Sequence, residues 1–248
     1  MSQPPGTLVL LRHAQSLWNL ENRFAGWADM GLSANGIAEA HRAGTLLRER
    51  GFVFDRAFVS VLRRATQTLD IVLAELGQAD VPVIADWHLN ERHYGALQGL
   101  NKAETAARYG ATQFQRWRRG YHDRPPALDV DDPRHPRFDQ RYAGLAPELL
   151  PATESLADTE RRVVPYWQQA IAPRLADGER LLVVAHGNTF RALIRHLDQL
   201  SVEAVEKLEV PTGQPLVYEF SEEFDAGLQP RRSYYLSDAA GPLSVPAR

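Results

Sequence analysis

Two histidines stand in matching settings. His13 follows the all-apolar run Thr7–Leu11 (TLVLL) through Arg12, and His186 follows the all-apolar run Leu181–Ala185 (LLVVA) directly, with Gly187 and Asn188 behind it. A neutral imidazole is a nitrogen nucleophile and can attack phosphorus as long as it is unprotonated. A third apolar run, Ala57–Val59, leads into SVLRRATQT (60–68), which sets Arg63 and Arg64 at the start of a helix. A cation is unfavourable at a helix N-terminus unless an anion sits between the two. Arg12, Arg64 and the backbone N–H groups near Gly187 and Asn188 would therefore surround a phosphate. The guanidinium charges would disfavour imidazolium at His13 and stabilise the equatorial oxygens of a phosphoryl transition state, so the chemistry requires no metal. A leaving alkoxide still needs a general acid. Glu91, in LNERHYG, is the candidate, and partial burial would raise its pKa toward a useful range.

These groups meet only if the chain folds so that strand ends converge. The short, fully apolar runs at 7–11, 57–59 and 181–185 have the pattern of strands buried on both faces, and Val81–Ile84 reads as a further short strand. Helices are expected from Ser33 (N-cap) to Gly51 (C′), over Arg64–Leu76 and over Asn188–Leu197. A helix over Ser155–Arg174 is expected to kink at Pro165. Leu216–Phe220 and Ser233–Leu236 read as late edge strands. Strands alternating with helices imply an α/β fold, a mostly parallel sheet covered on both faces in three α/β/α layers. Ligands of such sheets bind beyond the carboxyl ends of the strands, where both imidazoles project. The pattern changes over about 86–154, which is read as a helix-and-loop insertion over one end of the sheet within a single domain spanning 1–248. The tail at 237–248, rich in small residues and proline, is expected to be mobile.

Composition excludes several other chemistries. The 248 residues contain no cysteine, which rules out disulfides, thiolate metal sites and cysteine nucleophiles. A formal net charge of -3 gives no global attraction to nucleic acid or an anionic membrane. No apolar run approaches the roughly 20 residues of a membrane helix, and residues 1–6 lack the features of a signal peptide, so a cytoplasmic location is expected. Neither GxGxxG after a strand nor GxxxxGK is present, which leaves dinucleotide and P-loop readings without support.

LVLLRHAQSLWN (8–19) resembles the signature of the histidine phosphatase superfamily. ENRFAGW (21–27), SVLRRATQT, LNERHYGALQGLNKAE (89–104), WRRG (117–120) and AHGNTFRAL (185–193) resemble, in order, the 2,3-bisphosphoglycerate-dependent phosphoglycerate mutases. The RH motif and the distal histidine indicate only the superfamily, whereas the long 89–104 block and WRRG are more specific. The resemblance implies the phosphoglycerate mutase-like fold and a phosphohistidine on His13. It makes Glu91 the proton donor and acceptor, with Arg12, Arg64 and His186 on the transferring group beside the Gly187 backbone and the Asn188 amide. It implies substrate contacts from Ser16 and Asn19, and a grip on the substrate's carboxylate and second phosphate from Tyr94, Lys102, Arg118 and Arg119. Cations on the insertion can fix one anionic end while His13 works on the other. It also implies 2,3-bisphosphoglycerate as primer, small phosphoglycerates as substrates, and a homodimer or homotetramer.

Two departures stand out. The mutases usually have RHGE where this chain has Arg12-His13-Ala14-Gln15, which removes a negative charge beside the site. Their Thr-Gly pair reads here as Ala25-Gly26, so Ala25 can serve only through its backbone. A phosphatase of the same superfamily, with water as acceptor, and an inactive phosphate-binding module are the competing functions.

Overall fold

The computed structural model describes residues 6–220, 228, 230–236 and 243–244. Its strands form one sheet in the order β3-β2-β4-β1-β5-β6-β7. Here β1 is Thr7–Arg12, β2 Arg56–Val59, β3 Val83–Ala85, β4 Leu181–Ala185, β5 Pro215–Phe220, β6 Pro230–Tyr235 and β7 Leu243–Ser244. The first four run parallel, and β5, β6 and β7 add on antiparallel, so the sheet is mixed. β5 lies between β1 and β6, and β6 between β5 and β7, so neither is the edge strand expected from sequence. Most of the expected tail, 237–242 and 245–248, lies outside the described residues.

Alternation along the buried strands feeds two cores. Leu8, Leu10, Phe58, Leu181 and Val183 face one side, against Val163, Trp167, Ile171, Phe190, Leu193 and Ile194. Val9, Leu11, Ala57, Val59, Leu182 and Val184 face the other, against Leu47, Leu69, Val72 and Leu73. After the single turn α1 (Leu17–Leu20), helices α2 (Ala34–Glu49) and α3 (Arg63–Leu76) cover the second face; α6 (Leu156–Tyr166) and α8 (Gly187–Leu197) cover the first. This is the three-layer α/β/α arrangement. Between α3 and α6, residues 86–154 form short 3₁₀ turns and two short helices, α4 (Lys102–Tyr109) and α5 (Ala111–Arg119).

Local signals hold at most boundaries. The Ser33 hydroxyl accepts from Gly36 N–H at the start of α2, and Ser155 forms a capping box with Asp158. The helix past Pro165 winds as a π-helix over Trp167–Ile171 before α7 (Ala172–Ala176), which contains Pro173. A proline ring clashes with the carbonyl four residues back, here Gln169, and the wider π turn lies across that carbonyl.

Register decides where the site forms. Arg12 pairs with Ala185 across the parallel β1–β4 ladder, so the next residues, His13 and His186, emerge side by side. His13 N–H donates to Ala185 O at 2.9 Å, and Ser60 N–H, just past β2, donates to Val184 O at 3.2 Å. The turn after His13 is held on its far side by α2. A Cβ on Gly36 would lie 1.9 Å from the Gln15 carbonyl oxygen, which leaves no room for any side chain. Gly36→Ala is therefore expected to push the His13–Gln15 turn off β4, lowering stability by about 1–3 kcal/mol. A lowered urea midpoint together with reduced turnover is the expected pair of readings, and an unchanged midpoint would contradict this packing.

Candidate active site

The His13 and His186 rings lie 4.9 Å apart, centroid to centroid, tilted at 59°. Both are buried. His13 Nδ1 is 2.7 Å from its neighbour's carbonyl, Ala14 O. A carbonyl only accepts, so Nδ1 carries the proton and the neutral ring presents Nε2 as its nucleophilic nitrogen. His186 Nε2 meets Ser60 Oγ at 2.8 Å, and Ser60 Oγ in turn donates to Asn90 Oδ1 at 2.8 Å. Burial, then Arg64 and Arg12, hold His13 well below the usual imidazole range. Burial, Arg64, His13, Arg12 and Arg162 do the same for His186.

No carboxylate among the described residues is bonded to the two flanking cations. Arg12 Nη1 donates to Val210 O at 2.6 Å. Arg64, fully buried, donates from Nη1 to Ala28 O and Met30 Sδ and from Nη2 to Gly26 O at 2.8 Å. Burial pulls its guanidinium down to about 10, still charged at neutral pH. Among the described residues, Arg12 Nε, Arg64 Nε and His186 Nδ1 are buried polar atoms here without a protein partner. Unpaired, each costs about 1–3 kcal/mol; an anion held beside His13 would pair the two Nε–H groups, and His186 Nδ1 once that ring is protonated.

Both helix N-termini differ from the sequence expectation. Arg63 N–H, at the start of α3, donates to Asp29 Oδ1 at 2.7 Å. Asn188 N–H, at the start of α8, donates to Glu91 Oε1 at 3.1 Å. The anions that meet these macrodipoles are the protein's own carboxylates. The phosphate seat is therefore made by side chains more than by helix ends.

Beyond Arg12 opens a cavity lined by Glu91, Tyr94, Lys102, Arg118, Arg119, Gly187, Asn188, Arg191 and Glu209. Tyr94 hydroxyl accepts from Asn188 Nδ2 at 2.9 Å, and Asn188 Oδ1 accepts from Arg191 Nη1 at 2.9 Å. Burial works to raise the Tyr94 phenol, but Arg92, stacked 4.7 Å from the ring centre, and Lys102 leave it lowered. Burial also lowers Lys102. Arg119 is ion-paired with Glu209. A larger cavity between the 27–29 turn and residues 133–142 has its arginines already paired, Arg141 with Asp29 and Asp139 and Arg134 with Asp132. Among the described residues no three His, Asp or Glu side chains group as a metal set.

Thus His13, His186, Arg12, Arg64 and Glu91 come together, and Tyr94, Lys102, Arg118, Arg119, Gly187 and Asn188 line the adjoining cavity. Ser16, Asn19 and Ala25 are not among the lining residues. Ser16 and Asn19 are joined in a capping box, Ser16 Oγ donating to Asn19 Oδ1 at 2.9 Å. Ala25 O accepts from Ala28 N–H in a turn, and Gly26 takes part through the carbonyl that holds Arg64. Ala14 is buried against Leu32 and Ala40, and Gln15 Oε1 accepts from the Ser33 hydroxyl at 2.8 Å. Residues missed from sequence are Ser60, Asn90, Arg92, Arg191 and Glu209. Arg92 lies inside the motif block, and its Nη2 donates to Trp117 O and Arg118 O, which anchors the end of α5. Arg191 also lies inside a motif block, but nothing local marks its long-range contacts.

A mixed sheet, parallel through β3-β2-β4-β1, that sets two neutral histidines beside two arginines bonded to no carboxylate among the described residues defines a class. The chain belongs to the histidine phosphatase superfamily (branch 1), whose profile matches residues 8–226. Among curated proteins it is 56% identical over 232 residues to the 2,3-bisphosphoglycerate-dependent phosphoglycerate mutase of Nitrosococcus oceani, covering 94% of this chain and 95% of that one. It is 54% identical to the protein of the same name from Hamiltonella defensa, covering 94% and 92%. Among solved structures it resembles phosphoglycerate mutase from Bacillus anthracis (TM-score 0.59, 23% identity, 86% and 88% coverage). It also resembles a mycobacterial glucosyl-3-phosphoglycerate phosphatase (TM-score 0.63, 25% identity, 91% and 96% coverage).

The lowered histidines set the pH behaviour. Phosphorylation of His13 is expected to stay level from pH 8 to below 6.5, because the ring is already neutral there; a half-loss near 6.5 in rapid-quench rates would contradict it. Stability follows the same sign. His13, His186 and His93, the last pulled to about 3 chiefly by burial, bind protons more readily unfolded. Their contribution is complete above about 6.5 and is lost as pH falls, for His93 down to about 3.

Proposed function

We propose that this chain interconverts 3-phosphoglycerate and 2-phosphoglycerate through a phosphohistidine on His13, primed by 2,3-bisphosphoglycerate. The observation that carries this reading is the nucleophilic Nε2 of a buried neutral His13 beside three unpartnered buried polar atoms, next to a cavity walled by further cations. The names of relatives that match 94% of the chain support the substrate assignment.

The phosphoryl group sits among Arg12, Arg64 and His186 while Lys102, Arg118 and Arg119 hold the far anionic end, which aligns the ester for in-line attack. His13 Nε2 bonds to phosphorus as the P–O bond breaks, and Glu91 delivers its proton to the departing alkoxide. The arginines already in place stabilise the equatorial oxygens without reorganisation. As the dianion arrives, its charge offsets the cations that keep His186 neutral, so that ring gains a proton and donates from Nδ1. In the other half-reaction Glu91 takes the proton of a monophosphoglycerate's free hydroxyl as that oxygen bonds to phosphorus and the Nε2–P bond breaks, which forms bound 2,3-bisphosphoglycerate; the bisphosphate then reorients before His13 attacks its other phosphoryl group. Substrate contacts from Ser16, Asn19 and the Ala25–Gly26 backbone, a cytoplasmic location and a homodimer or homotetramer belong to the same reading. No helix among the described residues is long and apolar enough to cross a membrane.

An enolase-coupled assay on 3-phosphoglycerate is expected to show isomerisation that rises with added 2,3-bisphosphoglycerate. His13→Ala should lower it by at least about three orders of magnitude and abolish the acid-labile adduct seen by intact mass. Release of inorganic phosphate without isomerisation would replace the mutase with a phosphatase. Ligand binding with no adduct would leave only a phosphate-binding module.

A further inference from the structure

Glu91 belongs to no helix or strand. It lies between the 3₁₀ turns Trp87–Leu89 and Gly95–Leu97. Proton delivery to one alkoxide oxygen tolerates little displacement, so something else must hold this stretch. Arg162, on α6 beneath it, does so from one side. Its Nη1 donates to His88 O at 2.7 Å and Asn90 O at 3.1 Å, and its Nη2 reaches Glu91 O at 3.4 Å. Trp27 Nε1 donates to the same Glu91 carbonyl at 2.6 Å, and the Arg162 guanidinium lies 5.6 Å from the Trp27 ring centre.

Glu154 completes the clasp from the other end. Arg162 Nε and Nη2 bind its two carboxylate oxygens, each at 2.9 Å. Glu154 Oε2 also accepts from His93 N–H at 2.8 Å, while Glu154 N–H donates to His93 O at 2.9 Å. The pair is almost fully buried, its side chains 7% and 6% exposed. Removing two charges from water costs nearly as much as their attraction returns, so such a pair is poorly explained by stability alone. What it adds is direction: one rigid guanidinium fork ties residues 88, 90 and 91 to α6, and its carboxylate partner ties residue 93.

We propose that the Arg162–Glu154 pair positions Glu91 for proton transfer to the leaving oxygen, acting only through the main chain. The proposal rests on the reading of Glu91 as general acid. Arg162→Lys keeps the charge but loses the planar fork, so one ammonium cannot serve two carboxylate oxygens and three carbonyls.

The test compares two phosphoryl donors by rapid-quench measurement of acid-labile phosphate on His13. In both cases the Nε2–P bond forms and a P–O bond breaks. With 2,3-bisphosphoglycerate the departing alkoxide takes the proton of Glu91. With acetyl phosphate, acetate departs as an anion and needs no proton. Arg162→Lys is expected to slow phosphorylation by 2,3-bisphosphoglycerate by about tenfold or more while changing the acetyl phosphate rate by less than about threefold. Glu154→Gln should move the ratio in the same direction. Because both donors act on one preparation, the ratio is independent of any loss of folded protein. Equal slowing with both donors, or no slowing with 2,3-bisphosphoglycerate, overturns the positioning role. Glu91→Gln serves as the reference: if it fails to separate the two donors, the general-acid reading itself falls, whatever Arg162→Lys does.

Discussion

One buried and one half-buried guanidinium group beside two imidazoles, bonded among the described residues only to main-chain carbonyls and one thioether, is the arrangement on which the rest of the structure depends. Arg12 and Arg64 are bonded to Val210 O, Ala28 O and Gly26 O, with Met30 Sδ also on Arg64, so their charge is held in place without being neutralised. Such concentrated positive potential is unfavourable in a folded interior until an anion enters it. The strands, turns and insertion are best understood as the scaffold that keeps it concentrated. The register that pairs Arg12 with Ala185 brings the rings together, and the 26–30 turn supplies the carbonyls that aim Arg64.

Much of this was legible in the sequence, because apolar runs ending in charged residues announce strand ends. The boundaries of β4 match the run LLVVA, and α2 and α3 begin within a residue of their expected starts. What failed had physical reasons. Helix-terminal N–H groups look available for phosphate when only local sequence is considered, yet Asp29 and Glu91 reach them from 34 and 97 residues away. A proline predicts a disturbance but not its form, here a π-helical turn between two prolines. The interior place of β5 depends on its pairing with β1, which periodicity does not encode. Ser60, Asn90 and Arg191 were invisible for the same reason: ordinary residues drawn to the site by distant partners.

The fold is shared with phosphatases as well as mutases, so the sheet and the two histidines do not decide what accepts the phosphoryl group. On the proposed reading that decision lies with residues 86–154. This stretch contributes Glu91, Tyr94, Lys102, Arg118 and Arg119 to the cavity wall, and Phe24, Leu97 and Phe114 pack as a small separate cluster within and beside it. A satellite core of three buried aromatic and aliphatic side chains gives the cationic wall its own rigidity, so the acceptor is held by something firmer than a loop.

The hydrogen bonds on Glu91 carry a stereochemical consequence. Arg92 N–H and Asn188 N–H both converge on Oε1, at 2.8 Å and 3.1 Å. With both lone pairs of that oxygen engaged, a carboxyl proton has its place on Oε2. On the proposed reading of Glu91, a single atom then serves as acid in one half of the cycle and as base in the other. The enzyme cannot offer one oxygen to each carbon position of a glycerate skeleton; the skeleton itself has to turn, presenting its two oxygens to the same fixed point in succession.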